Sequence, residues 1–209
     1  MARKVAVLRR IVVLGVAALA IALASPSRAE DDAPRAVVDH LHAALIEVMK
    51  SGTALGFSGR YQNLDPEVAR AFSLPTMTRL AVGPTWTSFS DDQKARVTEA
   101  FHRFSVATYA GRFVAYDGER FESDPEPVQT QNGTMVRSAI IEREGERVAL
   151  NYLLRQYDGE WRIIDVFLSG TISELATRRN EFSAILQRGG AEALIATLDG
   201  KAQEMAAPR

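Results

Sequence analysis

Few residues in this chain could carry out chemistry, and their spacing gives them no obvious partners. Of the three histidines, His40 and His42 stand two apart in a helical segment. They therefore point to different sides and cannot share a metal. His102 borders the apolar stripe of a long helix, which suits a surface or core-edge role. Asp165 is the one carboxylate embedded in an apolar strand. It could act as a general base paired with Tyr152 or His102, or as a structural acceptor for a hydrogen bond or an ion pair with Arg162, Arg178 or Arg179. Asp124 and Glu126 fall in a proline-rich turn that suits solvated charge. Phosphate loops, dinucleotide fingerprints, zinc helices and nucleophile elbows are missing from the sequence. With no cysteine, thiol chemistry and cysteine-based metal sites are excluded. Neither a cofactor nor a catalytic residue is expected. Arg137, Arg143, Arg147, Arg155 and Arg178-Arg179 read either as ordinary solvated charge or as a local patch for an anionic headgroup or an acidic partner. Asn132-Gly133-Thr134 matches a glycosylation sequon, but a tight turn accounts for it.

Periodicity supplies the elements that must position these groups. Val37, Leu41, Ala44, Leu45 and Val48 recur at helical spacing, which predicts a first helix from Ala36 to about Gly52. A second covers about 60–73, and a short one runs from Thr76 to Val82, after Leu74-Pro75. Gly83-Pro84 breaks the chain, leaving Trp86 and Phe89 in a loop. Ser90-Asp91-Asp92-Gln93 is a capping box. It opens a long helix whose face is marked by Val97, Ala100, Phe101, Phe104 and Thr108 and which runs to about Tyr116. The period then becomes two. Strands are predicted near 119–129, 134–143, 146–156 and 161–169, with turns at Asn132-Gly133, Glu144-Gly145 and Asp158-Gly159. Thr171 to Glu174 reads as another capping box, opening helices at 173–188 and 191–204 broken by Gly189-Gly190. Helices, an antiparallel meander, then helices make an α+β layout with helices packed on one face of a twisted sheet. The strands are apolar on more than one face: Trp161 and Ile163 share one with Asp165 and Phe167, and Ile164, Val166 and Leu168 the other. Either helices cover both faces or part of this lining faces a cavity.

The first 29 residues read as an export signal. Arg3, Lys4, Arg9 and Arg10 precede an apolar run from Ile11 to Ala24, too short for a comfortable membrane span. Cleavage is expected after Ala29, with Ala24 as the alternative site. Arg9-Arg10 leaves twin-arginine export open beside the general route. Residues 30–209 then form one domain, ordered over about 36–205. Taking Arg3, Lys4, Arg9, Arg10 and Arg28 from 25 basic residues leaves 20 against 26 acidic ones, a net of −6. This charge disfavours nucleic acid and strongly anionic membrane surfaces as partners.

Tyr152-Leu153-Leu154, Gly159-Glu160-Trp161-Arg162-Ile163-Ile164-Asp165-Val166, Gly170-Thr171-Ile172-Ser173 and Arg178-Arg179-Asn180-Glu181-Phe182 resemble the signature of the MlaC/toluene-tolerance family of exported lipid carriers. Tyr109-Ala110-Gly111-Arg112-Phe113 also fits, and the similarity spans about 37–205. Leu55 to Tyr61, Met77 to Gly83 and Gly170 to Ala176 are more similar to the hopanoid-associated branch, HpnM. Thr171-Ile172-Ser173 stands where phospholipid carriers tend to have a Gly-Val-Ser turn.

The resemblance implies a nuclear-transport-factor-2 or cystatin-like fold, with helices on a curved four-stranded antiparallel sheet and an apolar cavity between them. It also implies a periplasmic carrier that encloses a phospholipid or a hopanoid. Partners would be inner-membrane transport components and an outer-membrane lipid donor or acceptor. The expected lining is Phe72, Met77, Leu80, Trp86, Phe101, Phe104, Tyr109, Phe113, Tyr152 and Phe167. Two other classes compete: a small enzyme of the same fold using Asp165, and an adaptor with a solid core.

Overall fold

The computed structural model describes residues 33–207. The expected export signal and its cleavage site lie outside the described residues. Helix α1 spans Ala33–Ala71, α2 Leu74–Val82 and α3 Asp91–Arg112, and a 3₁₀ turn at Gly83–Ser88 joins the last two. Seven strands follow: β1 (Arg120–Ser123), β2 (Val128–Thr130), β3 (Gly133–Val136), β4 (Ser138–Ile141), β5 (Arg147–Tyr157), β6 (Glu160–Leu168) and β7 (Ile172–Ser173). Helix α4 (Glu174–Ala206) closes the described chain. The protein is α+β, as expected.

The four-strand meander is present, with its first two strands interrupted. β3 and β4 pair with β5 in a single register, Val136 opposite Tyr152 and Ala139 opposite Ala149, so they form one long strand broken at Arg137. β1 and β2 pair with β4 and β3 respectively, and the proline-containing segment between them absorbs a register shift. Proline cannot donate to a ladder, so the predicted strand at 119–129 splits there. Asp158 (φ 50°) and Gly159 (φ 85°) are both left-handed, as a type I′ hairpin requires.

Helix boundaries differ from expectation where glycines have different tasks. The first break falls at Gly56 (φ 62°, ψ −176°), while Gly52 stays helical. An added Cβ at Gly52 would lie 1.8 Å from the Val114 carbonyl oxygen, so this glycine permits a close approach rather than ending a helix. Arg60, buried beside it, donates to the carbonyls of Gly52 and Ala110, both at 2.8 Å. Pro75 sits in the first turn of α2 instead of interrupting it. The Ser90–Gln93 capping box forms as predicted, with bonds of 3.2 and 3.0 Å. α3 ends at Arg112, not near Tyr116.

The second expected capping box does not form. Thr171 belongs to the turn after β6, Ile172–Ser173 pairs with β6 as β7, and Ser173 is the N-cap of α4, accepting from the Ala176 amide at 2.9 Å. Strand pairing takes the residues that local helix signals would have used. The predicted break in α4 falls at Gly189 and Gly190.

The helices lie on one face of the sheet. α1, α2 and α4 contact β6, whereas α3 packs on the other three helices and stands off the strands. The central core fills the space between, with Leu41, Leu45, Leu64, Val97, Tyr152, Leu154, Ile163 and Leu194 essentially buried. Ala139, Ile141 and Leu153 are buried outside that core cluster, so burial extends beyond the helix-covered space.

Candidate functional site: an apolar cavity under helix α3

The stand-off of α3 leaves a cavity of about 250 Å³ between it and the sheet. Its walls are Phe101, Phe104, Ser105, Thr108, Tyr109, Arg112 and Phe113 from α3 and its C-cap, and Ile140, Leu150, Val166 and Leu168 from the strands. Val68, Phe72, Leu74 and Met77 close it from the α1–α2 junction, and Glu174, Leu175 and Arg178 from the first turns of α4. The junction is tied to the sheet, because the Ser73 amide donates to the Ile163 carbonyl at 2.9 Å and Phe72 bridges to Ile163. Arg162 donates to the Ala69 and Arg70 carbonyls and so caps α1 just before this corner.

Register explains which strand residues reach the cavity. Leu150 lies opposite Leu168 and Tyr152 opposite Val166, all on the helix-covered face. A bulge then shifts the pairing, so Leu154 meets Ile163 and Leu153 meets Asp165. The extra residue places Ile163 on the same face as Val166, correcting the strict alternation read from sequence. It also accounts for the adjacent burial of Ile163 and Ile164.

Six of the ten expected lining residues stand on the cavity: Phe72, Met77, Phe101, Phe104, Tyr109 and Phe113. Four do not. Phe167 falls between Val166 and Leu168 and so points to the opposite face. Tyr152 is on the right face but wholly buried, its hydroxyl 3.1 Å from His42 Nε2. Trp86 lies in the 3₁₀ turn with its ring 6.0 Å from Phe89. Leu80 is half-buried one turn beyond Met77. Sequence reasoning missed Leu150, Val166 and Leu168, which alternation with Tyr152 could have indicated. It also missed the pairing that brings Ile140 beside them.

The cavity's polar groups are few and mostly occupied. Ser105 and Thr108 donate back to the helix carbonyls of Phe101 and Phe104 at 2.7 and 2.8 Å. Arg178 is held by Glu174 at 3.2 Å and Glu181 at 3.0 Å, with its guanidinium 4.9 Å from the Phe104 ring centre. Tyr109 stacks on Phe113 at 5.8 Å and tilts against Phe72 at 5.6 Å. Burial pushes its phenol well above the ordinary tyrosine range.

Asp165 accepts from the Val166 amide at 2.8 Å, the Leu175 amide at 3.0 Å and the Ser173 hydroxyl at 2.6 Å. It anchors the start of α4 to the sheet and forms none of the arginine ion pairs considered from sequence. Burial raises its carboxyl pKa, with the three donors opposing that shift. The proposed catalytic pairs do not assemble. Asp165 lies on the face of the sheet opposite Tyr152, which bonds His42, while His102 Nε2 lies 2.7 Å from Asp65. His40 contacts Glu67 at 3.0 Å, and His42 is buried and stacked on Phe121 at 4.0 Å. Of the basic residues, Arg143 pairs with Asp117 and Arg147 with Glu122. Among the described residues no cluster of histidine, aspartate and glutamate could hold a metal ion, and no helix is long and apolar enough to cross a membrane.

Fold and site together define a small α+β container, a helix-roofed sheet around a mostly apolar chamber with charges at its edge. The profile of the MlaC protein family matches residues 39–200, and the chain belongs to that family. It is 28% identical over 116 residues to the toluene tolerance protein Ttg2D of Pseudomonas putida, a match covering 55% of this chain and 53% of that protein, so the chain spans about half the length of this curated relative. A solved structure, the phospholipid-binding protein from Ralstonia solanacearum in complex with a phospholipid, superposes with a TM-score of 0.70 at 22% identity. The superposition covers 85% of this chain and 99% of that one, so the two share a fold.

Proposed function

We propose that this protein is a lipid carrier of the compartment outside the cytoplasm. It would be exported by its N-terminal 29 residues, hold the apolar part of a phospholipid in the cavity under α3, and pass it between membrane-bound transport components. The observation that carries this reading is the apolar chamber, whose wall holds six aromatic or methionine side chains in a fold shared with a phospholipid-binding protein. Each methylene moved from water into such a wall gains about 0.8 kcal/mol. A tail therefore enters spontaneously, while the charged head stays at the edge. Methionine and aromatic rings suit a guest of variable length. At about 250 Å³ the chamber is below the roughly 300–1,000 Å³ of drug-sized sites, so a two-chain guest must widen the gap beneath α3. The occupied or distant partners of Asp165, Tyr152 and His102 favour a carrier over an enzyme.

The test is to purify the protein gently from its own host, extract it with organic solvent and identify the lipid by mass spectrometry. Stripped protein is then offered phospholipid vesicles. Phospholipid should be recovered and taken up again. Met77→Trp, which fills the chamber, should fold normally by circular dichroism and lose at least tenfold in uptake. Neither recovery nor uptake by the native chain would defeat the proposal.

A further inference from the structure

Helix α2 turns Leu74 and Met77 to the chamber, while Pro75 and Arg79, four apart, are exposed on its outer side. From Val68 to Ser90 the sequence holds no aspartate or glutamate, in a chain whose net charge without residues 1–29 is −6. Arg70 is taken up by Glu67. Among the described residues neither Arg79 nor Arg179 of α4 forms an ion pair, and no carboxylate stands three or four positions from either of them. α2 and α4 pack together, and the Arg179 side chain lies over the end of α2, its Nε 3.1 Å from where a Cβ would sit on Gly83. The Gly83 amide donates to the Arg79 carbonyl, so both arginines belong to this one helix end. Trp86 follows three residues on, on the same side of the 3₁₀ turn as Gly83. Its ring is half-buried, with Phe89 behind it. Thr87 and Ser88 close the turn on itself, donating to the carbonyls of Pro84 and Thr85 at 3.0 and 2.7 Å.

A cation over a helix C-terminus is favourable in itself. That accounts for one guanidinium, but not for two, and not for the tryptophan beside them. Arginine and tryptophan are the side chains that most often anchor an interface, and the carboxylates to match these arginines must come from another molecule. A bilayer is the poorer source, because an extended anionic plane also repels a chain of net negative charge. A single acidic segment meets the patch alone. We infer that the outer face of α2, the 3₁₀ turn and Arg179 form a docking surface for an acidic segment of a membrane-bound protein, with Arg79 and Arg179 pairing with its carboxylates and Trp86 supplying the apolar contact. This inference rests on the carrier reading and names the surface by which the carrier meets its donor or acceptor. A partner seated there bears on the helix whose other face is chamber wall, so docking and release of the guest share one element.

The test places the photocrosslinking residue benzoylphenylalanine at Thr85, and as a control at Glu144 in the β4–β5 turn, in the full chain within its own host. Thr85 should cross-link to a membrane protein through a peptide rich in aspartate or glutamate. Arg79→Glu combined with Arg179→Glu should lower that yield about tenfold, with melting temperature and phospholipid uptake unchanged. Arg79→Gln with Arg179→Gln, which brings in no new charge, should lower it severalfold. Lysine in place of the contacted carboxylates should restore cross-linking to the charge-reversed chain. Loaded native protein should deliver labelled phospholipid to membrane vesicles from the host about tenfold faster than to liposomes of the same lipids without protein, and charge reversal should abolish that difference. Equal delivery to the liposomes would make the bilayer the partner and overturn the inference. So would the absence of a cross-link from Thr85, equal cross-linking from Glu144, a contacted peptide without carboxylates, or native yield from both double variants. A native chain that takes up no lipid would instead defeat the carrier reading, and the Thr85 cross-link would still decide the docking surface.

Discussion

His42 shows how a polar residue becomes structural once buried. Its ring lies flat on Phe121, its Nε2 meets the Tyr152 hydroxyl, and burial lowers its pKa from 6.5 to about 3. The native state therefore excludes a proton that the unfolded chain accepts below pH 6.5. The stability associated with neutral His42 is complete above that pH and is lost as pH falls toward 3, at no more than about 1.4 kcal/mol per pH unit. Asp39 and Glu47 share the neighbouring surface but lie outside the stack. Urea unfolding of the native chain and His42→Gln should diverge between pH 7 and 4.5, the native chain losing about 2 kcal/mol more. Parallel curves would refute the assignment. Asp165 has the opposite sign. Its carboxyl is raised by burial, so the stability linked to its protonated form is present at low pH and declines as pH rises through the native pKa. Asp165→Ala would leave the donors of Val166, Ser173 and Leu175 without their acceptor, at a cost of about 3 kcal/mol. Lipid uptake per folded molecule should not change. Uptake abolished in a variant of native stability would show that Asp165 serves the site directly.

At the scale of elements, two glycines four residues apart in α1 show how local and tertiary demands separate. Gly56 has a backbone conformation that only glycine adopts readily, and a Cβ there meets nothing within 4 Å. Gly52 is ordinary helix with the Val114 carbonyl against it. Gly56→Ala should cost about 2 kcal/mol through backbone strain, and Gly52→Ala about 3 kcal/mol or more, since a backbone atom must move. Thermal melts of both variants would rank them, and the reverse order would contradict this division of roles. The capping box at Ser90 was legible because both its bonds are local. The apparent box at Thr171–Glu174 was not, because Ile172–Ser173 finds strand partners in β6 and Ser173 finds Asp165, eight residues back. The bulge opposite Leu153/Leu154 was equally invisible, since it is defined only by pairing between two strands.

For the whole molecule, order and type of element follow from the chain itself. Helical spacing, the switch to period two, and glycine turns at Asp158-Gly159 and Gly189-Gly190 all act over a few residues, and each appears where its chemistry places it. The apolar stripe of the long helix is likewise readable and contains Phe101 and Phe104, whereas Tyr109 is reached only through the family resemblance. The cavity was not readable as a volume. It exists because α3 leans chiefly on three other helices rather than on the strands, and because register rather than composition turns Val166 and Leu168 inward and Phe167 out. Tyr152 and Tyr109 are the same residue type, yet Tyr152 is packed away from the chamber with its hydroxyl against His42, while Tyr109 lines the chamber. Periodicity assigns a side chain to a face. Whether that face meets a neighbour or a space depends on distances between elements remote in the chain, and only tertiary packing sets those.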